Sequence, residues 1–139
     1  MGRLKNATAN EEGRQLKLQN IFSSPILVGA VLAYLVSLSV FVLASLLFAY
    51  TPLPEIVLPY MTYIASLISI FIGGLYSGGK IGQQGWKNGG FTGLIYFVGL
   101  FLLSFFLGTQ IVYGLQLLLR AVMAFVIGSI GGIVGVNIR

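Results

Sequence analysis

The chain has 139 residues, of which 57% are hydrophobic and 8% are charged; a soluble domain carries about 25% charged residues, so water is excluded as its main solvent. Eight Lys and Arg against three Glu give a formal charge of +5, and there is no Asp, His or Cys. Disulfides and metal sites built on Cys or His are therefore excluded. The basic residues lie outside the apolar runs, which favours a membrane surface over nucleic acid as their partner.

The first half of the chain predicts a polar tail and two membrane spans. Residues 1–20 are polar and show no sustained apolar period. The apolar run over about 26–50 is longer than the roughly 20 residues that a helix needs to cross a bilayer. Two prolines within residues 51–55 remove backbone donors and stop that helix. A second span is predicted over about 56–79.

A polar run separates the second span from the third. Residues 81–90 read IGQQGWKNGG, which is too polar to cross lipid, and we interpret them as a short interfacial turn. The side chains of Lys80, Trp86 and Lys87 are predicted to be anchors at the headgroup boundary, where amphipathic side chains are enriched.

The second half predicts two further spans, over about 91–107 and 115–137. The start of the fourth is open, because the apolar run before Arg120 either extends a long tilted helix or lies along the interface. Backbone groups in lipid must be hydrogen-bonded within their own segment, and no ten-residue alternating strands appear. The predicted fold class is therefore an all-α integral membrane protein with four transmembrane helices in two hairpins, forming one domain over residues 1–139.

The Lys and Arg distribution predicts the orientation. Four such residues lie in the N-terminal tail and two around the second loop, whereas the first loop has none. Short loops rich in Lys and Arg stay in the cytoplasm. Both termini are therefore predicted to be cytoplasmic in a multi-pass protein of the bacterial plasma membrane, with membrane lipid as a partner.

Glycine placement is the most informative feature of the spans. The chain has 19 Gly residues, and they gather at the predicted cytoplasmic ends of the second and fourth spans. Residues four apart share a helix face, and small residues let helices approach closely in lipid. Three interpretations stay open: internal packing or homodimer contact, docking of a partner helix, or unwound backbone that coordinates an ion. An internal repeat of the two hairpins is also open. The predicted packing residues are Gly74, Gly78, Gly82, Gly128, Gly132 and Gly135.

The titratable residues do not predict an enzyme. Acid and base catalysis needs a tuned group at the reacting atom, and Glu55 has no second carboxylate or histidine to complete a dyad. We therefore predict no catalytic residue, cofactor or metal. Arg120 is the one charge that falls within or near a span. It is predicted to snorkel to the outer boundary and pair with Glu55; the functional alternative is a positive outer vestibule that attracts anions.

Two classes of function fit these features. The first is a non-enzymatic membrane protein that acts through Gly-mediated helix packing, as a homo-oligomer or as an accessory subunit with another membrane protein. The second is a small channel or transporter with a path between helices or protomers. Thr62, Ser66 and Ser69 are its candidate polar face, because positions i, i+4 and i+7 share one side of a helix. A third reading is lipid binding by the cytoplasmic Lys and Arg residues.

The run GGLYSGGKIGQQGWKNGGFTGLIYF (73–97), followed by GGIVGVN (131–137), resembles the YrzE-like membrane proteins of Firmicutes-type bacteria. The resemblance covers the predicted spans two to four, while the tail and first span match only in hydrophobicity. It implies a four-helix membrane fold and a membrane location. That family has no established activity, so no catalytic residue is carried over.

Overall fold

The computed structural model describes residues 1–22, 24–110 and 114–139, with the side chains of all of these except 18–22. Helices make up most of this part of the chain, and no strand occurs in it, so the predicted all-α class is confirmed. A 3₁₀ turn at Glu55–Val57 precedes the third helix. The helices are α1 (Gly2–Phe22), α2 (Pro25–Tyr50), α3 (Leu58–Ile81), α4 (Gly85–Phe106) and α5 (Leu115–Asn137).

Within the described ranges, four segments are long and apolar enough to cross a membrane: α2, α4, α5 and the stretch Glu55–Ile81 that contains α3. They contain 22 to 27 residues, which corresponds to about 33–40 Å of helix against a hydrocarbon core of about 30 Å. The N-terminal segment, predicted as a polar tail, forms helix α1, and its residues 1–17 are exposed.

Local residues explain where the spans begin and end. Ser24 caps α2 by accepting a hydrogen bond from the Leu27 amide at 3.4 Å, and Pro25 occupies its first turn, where no backbone donor is needed. Gly82 caps the C-terminal end of α3; it has a φ of 69° and donates its amide to the Gly78 carbonyl at 2.9 Å. This left-handed conformation favours glycine.

The turn between α3 and α4 is shorter than predicted. Only residues 82–84 lie between the two helices, because α4 begins at Gly85. The prediction of a turn over 81–90, with a span from about 91, was therefore wrong. The Asn88 side chain donates to the Gln83 carbonyl at 2.8 Å, so one of the polar residues that suggested a loop instead fastens the turn to the helix. Polarity showed that these residues avoid lipid, but it did not exclude a helix.

Helices α3 and α4 pack against each other, and both α2 and α5 pack against that pair. Helices α3 and α5 run parallel, as do α2 and α4, while helices from α2 to α5 that follow each other in the chain run antiparallel. We call the end of the bundle with Lys80, Lys87 and Arg139 the basic end. The opposite end, where α3 and α5 begin, is the Glu55 end.

The interior consists mainly of small residues. Buried positions are mostly Gly, Ala, Ser and Thr, and Tyr96 and Ile70 are the large exceptions. Large apolar side chains cover the outside instead, as a series along α2 shows: Val31, Leu35, Leu38 and Val42 are all exposed. This is the inverse of a water-soluble bundle, and it suits a lipid surround, in which close backbone contact favours helix association.

Candidate functional site

Helices α4 and α5 meet through two reciprocal pairs of glycines near the basic end. A side-chain carbon added to Gly132 would collide with the Gly85 carbonyl oxygen, and one added to Gly85 would collide with the Gly132 carbonyl oxygen. Gly89 and Gly128 are related in the same way. No other residue type fits these positions without moving a backbone, so glycine is required there for contact rather than for flexibility.

Helix α3 reaches the same α5 carbonyls from the other side. A carbon added to Gly74 would lie 2.5 Å from the Gly128 carbonyl oxygen, and one added to Gly78 would collide with the Gly132 carbonyl oxygen. Each of these α5 carbonyls therefore lies between a glycine of α3 and a glycine of α4. The Cα hydrogens that replace the missing side chains point at the carbonyl oxygens, which is the arrangement of weak Cα–H···O contacts between close helices.

A second row on α5 completes the contact with α3. Carbons added to Gly131 and Gly135 would collide with the carbonyl oxygens of Phe71 and Leu75. Helix α5 thus presents two rows of glycines with a spacing of four, displaced by three residues. The row of Gly128 and Gly132 meets both α4 and α3, and the row of Gly131 and Gly135 meets α3.

Helix α2 joins the bundle through glycines that the sequence prediction missed. A carbon added to Gly73 would lie 2.6 Å from the Gly29 carbonyl oxygen and 2.8 Å from the Ala33 side chain. Ala33 and Ser37 are buried beyond Gly29 along the same helix. The series Gly29, Ala33, Ser37 has the spacing of four that identified the other rows, but only its first member is glycine.

Five of the six predicted packing glycines are buried between α3, α4 and α5; they are Gly74, Gly78, Gly128, Gly132 and Gly135. Gly82 differs, because its left-handed backbone ends α3 and it lies outside the row of contacts with α5. The structure thus places the rows inside one chain. Their use in association with another molecule stays a prediction.

A half-buried tyrosine of α2, Tyr34, and a buried one of α4, Tyr96, link these helices. The Tyr34 hydroxyl donates to the Tyr96 carbonyl at 2.7 Å, and the Tyr96 hydroxyl donates to Ser37 at 3.0 Å. Their rings pack against each other with centroids 4.8 Å apart and planes tilted by 34°. Gly99 provides the space for the Tyr34 hydroxyl, because a carbon added there would collide with it. Nothing in the sequence of α2 indicates that Ser37 has this distant partner.

A second buried hydroxyl pair links α3 to α4. The Thr92 hydroxyl lies 2.9 Å from the Ser77 hydroxyl and 2.8 Å from the Asn88 carbonyl, and Ser77 donates to the Gly74 carbonyl at 3.0 Å. Both side chains are completely buried. These polar groups are hydrogen-bonded within the bundle, so they stabilise helix contact and are not presented to a ligand.

The candidate polar face of α3 is divided by the structure. The hydroxyls of Thr62, Ser66 and Ser69 each donate to the carbonyl four residues earlier in their own helix. Thr62 is exposed, Ser69 is buried, and Ser66 lines a cavity. The three residues therefore do not form a continuous polar lining.

The cavity lies between α3, α4 and α5 and extends from the Glu55 end into the bundle. Its volume is about 280 Å³, and its inner end is formed by Ile70, Tyr96 and Ala124. Apolar side chains of all three helices form much of the wall. No Glu of the chain lines it. Besides Tyr96, the polar residues of the lining in the described part of the chain are Tyr63, Ser66, Ser104, Gln110, Gln116 and Arg120.

Arg120 faces this cavity and is not paired with Glu55. No Lys or Arg nitrogen lies within 4.0 Å of a Glu oxygen in residues 1–17, 24–110 and 114–139. Glu55 is exposed on its 3₁₀ turn and is not part of the cavity wall. The predicted ion pair is therefore absent. The sequence placed both residues at the same membrane boundary. Two side chains at the same depth in the membrane can still point in different directions around the bundle.

The three predicted anchors all lie at the basic end. Lys80 is in the last turn of α3, and Trp86 and Lys87 are in the first turn of α4. All three are exposed, and the Lys87 ammonium lies 5.4 Å from the centroid of the Trp86 ring. This cation–π distance gives the amphipathic pair expected at a headgroup boundary. Their contact with lipid stays a prediction.

Comparison with known proteins places this chain in a family. A family model described as "Protein of unknown function (DUF3792)" matches residues 23–135. The chain belongs to the DUF3792 family. This DUF3792 member is 32% identical over 114 residues to the uncharacterized membrane protein YrzE of Bacillus subtilis strain 168, a match that covers 82% of this chain and 75% of that protein.

The comparison confirms the resemblance drawn from the glycine pattern and identifies the DUF3792 chain as a multi-pass membrane protein. The family match begins before α2 and therefore includes the first span, for which the sequence predicted likeness in hydrophobicity alone. No solved structure matches the chain.

Proposed function

We propose that this chain is a non-enzymatic protein of the bacterial plasma membrane that acts through helix packing, as an accessory subunit of a membrane assembly or as a homo-oligomer. The observation that supports it is the position of α5, whose two glycine rows meet α3 and α4 at the same time. Glycine contact is the most extensive feature of the interior. Such contact favours a bundle of fixed shape, which a partner in the membrane can recognise.

The same observation favours some partners over others. The glycine rows are covered within one chain, so a homodimer that used them would have to separate α5 from its neighbours. A partner would instead meet the outward faces, which carry large apolar side chains such as Leu35 and Leu38. This favours an accessory subunit over a homodimer that associates through the glycine rows. In the accessory subunit, the glycine rows stabilise the arrangement of the helices within the chain.

The test is the mass of the particle extracted from native membranes in a mild detergent. We expect a particle heavier than the 14.9 kDa chain, in which mass spectrometry identifies a second membrane protein or further copies of the same chain. A particle that is monomeric both in mild detergent and in lipid discs would overturn the proposal.

We propose further that both termini and the turn between α3 and α4 face the cytoplasm, because Lys80 and Lys87 lie at that end. The chain has no Cys, so single cysteines can be introduced without background labelling. A membrane-impermeant maleimide should label Glu55→Cys in intact cells, and it should label Gln83→Cys only after the membrane is opened. The reverse pattern would invert the topology.

A second candidate function is transport through the bundle or between protomers, and the cavity is the observation that favours it. The cavity extends from the Glu55 end, and the glycine contacts of α5 close the bundle at the basic end. A site open toward one side and closed toward the other is what a transporter needs in one of its states. Flux of common ions into liposomes tests this candidate; flux equal to that of empty vesicles would count against it.

A further inference from the structure

We propose that the cavity at the Glu55 end binds an oxyanion group attached to a short apolar carbon skeleton, with Arg120 as the partner of the anion. The ligand class is a phosphate or carboxylate amphiphile. The proposal goes beyond the functions above, because the site exists whether or not anything crosses the membrane.

The charge of the cavity selects an anion. Among the residues that the structure describes, Arg120 is the one charged side chain in the lining, and none of the three Glu residues lies there. Its guanidinium makes no hydrogen bond or ion pair with any other residue that the structure describes. A guanidinium has five donors and no acceptor, and its planar fork matches an oxyanion with two parallel hydrogen bonds. The Arg120 side chain is exposed, so an anion that enters the cavity can reach it.

Neighbouring groups add uncharged donors. Gln116 lies one turn before Arg120 on α5, so the two side chains occupy the same face of that helix. Tyr63 of α3 brings a hydroxyl from the opposite wall. Gly114, the residue before α5, provides no side-chain cap for that helix. An anion at the mouth would therefore also meet the positive end of the α5 dipole.

The walls select the rest of the ligand. Leu67, Leu100 and Met123 contribute apolar surface from three different helices. A volume of about 280 Å³ lies just below the roughly 300 Å³ at which small-molecule pockets begin. The cavity therefore holds a small amphiphile, or the headgroup and first carbons of a lipid. A free inorganic ion would leave the apolar wall uncovered.

Calorimetry on the purified full-length protein in a neutral detergent tests the site, with octyl phosphate as the probe and octyltrimethylammonium as its cationic counterpart. We expect octyl phosphate to bind and the cation not to bind. Arg120→Gln should weaken octyl phosphate binding by about tenfold or more, since hydrogen bonds to charged groups contribute that much. Gln116→Glu, which brings a carboxylate into the cavity, should weaken it as well.

Lys80→Gln is the matched control. It removes the same unit of charge from an exposed position at the opposite end of the bundle, and octyl phosphate binding should be unchanged. Equal binding of octyl phosphate to Arg120→Gln and to the unmodified protein would overturn the proposal. So would equal binding of the cationic probe.

Competition distinguishes the two sources of such a ligand. Displacement of octyl phosphate by dihexanoylphosphatidylglycerol, but not by dihexanoylphosphatidylcholine, supports the site and assigns it to an anionic lipid. Displacement by butyrate supports it and assigns it to a water-soluble anion. If octyl phosphate binds but no ion flux into liposomes is measured, the binding site is supported and transport through it is not.

Discussion

The two ends of the bundle bring the same three helices together in different ways. At the basic end, α5 touches α3 and α4 backbone to backbone, with no side chain between them. At the Glu55 end, a cavity of about 280 Å³ separates those helices. The difference follows from side-chain volume, because the helix faces that carry glycine at one end carry larger residues at the other.

Steps of four residues trace this change along the helices. On α5 the series runs from Gly132 through Gly128 and Ala124 to Arg120, and it passes from close contact into the cavity wall. On α3 the corresponding series is Gly78, Gly74, Ile70 and Ser66, and on α4 it is Gly85, Gly89, Gly93 and Phe97. One face of each helix therefore serves both purposes, and the packed end positions the walls of the open end.

The largest expected effect is at the packed end. Gly132→Leu should lower the stability of the bundle by more than about 3 kcal/mol, because the added side chain meets backbone of α4 that cannot rotate away. Thermal unfolding in detergent measures it. Ile133→Leu, at the exposed neighbouring position, is the control and should change little. Equal melting of the two variants would show that the packed end does not depend on the absence of side chains.

A pair of serines on α3 sharpens the comparison. Ser77→Leu, at a completely buried position between helices, should destabilise the protein by more than about 2 kcal/mol. Ser66→Leu, in the cavity wall, has space to fill and should change stability by less than about 1 kcal/mol. The thermal midpoints of the two variants measure the difference. If Ser66→Leu were as harmful as Ser77→Leu, the cavity would be closed in the membrane.

The tyrosine contact between α2 and α4 should contribute less. Tyr96→Phe removes the hydrogen bond to Ser37 and keeps the ring. Hydrogen bonds between membrane helices contribute about 0.6 kcal/mol on average and up to about 1.7 kcal/mol, so a loss in this range is expected. Tyr60→Phe, at an exposed tyrosine of α3, is the control. Chemical unfolding of both variants in the same detergent gives the comparison, and an equal loss in both would argue against the buried bond.

The smallest effect concerns the charges at the Glu55 end. Because Glu55 and Arg120 are not paired, the stability changes of Glu55→Ala and Arg120→Ala should add within about 0.5 kcal/mol in a double-mutant cycle. A coupling free energy above about 1 kcal/mol would restore the ion pair, and it would make the cavity less positive than the structure shows.

The sequence predicted the membrane fold well, because the length and apolar character of a span are local properties. The glycine spacing also showed which residues share a helix face. It did not show which helix each face contacts, because glycines at every fourth position form the same pattern whichever helix they pack against. Gly29 and Gly73 were missed for this reason: their contact joins positions 44 residues apart, and the row on α2 continues with Ala33 and Ser37.

The cavity could not be predicted from the sequence, because its wall takes residues from three helices. Arg120 was singled out as a rare charge near a span, yet its predicted partner was wrong. One signal in the sequence does indicate its direction. Counting back by four from Gly132 passes Gly128 and Ala124 and reaches Arg120, which places it on the side of α5 that lines the cavity.

The glycine contacts of α5 also determine how the bundle responds to temperature. Helices that part within a bilayer exchange contact with one another for contact with lipid tails, so little apolar surface becomes hydrated and the heat capacity changes little. The free energy of helix separation should therefore fall almost linearly on warming. In water-soluble proteins, the free energy of unfolding depends on temperature along a curve and falls again in the cold. That curvature should be nearly absent here.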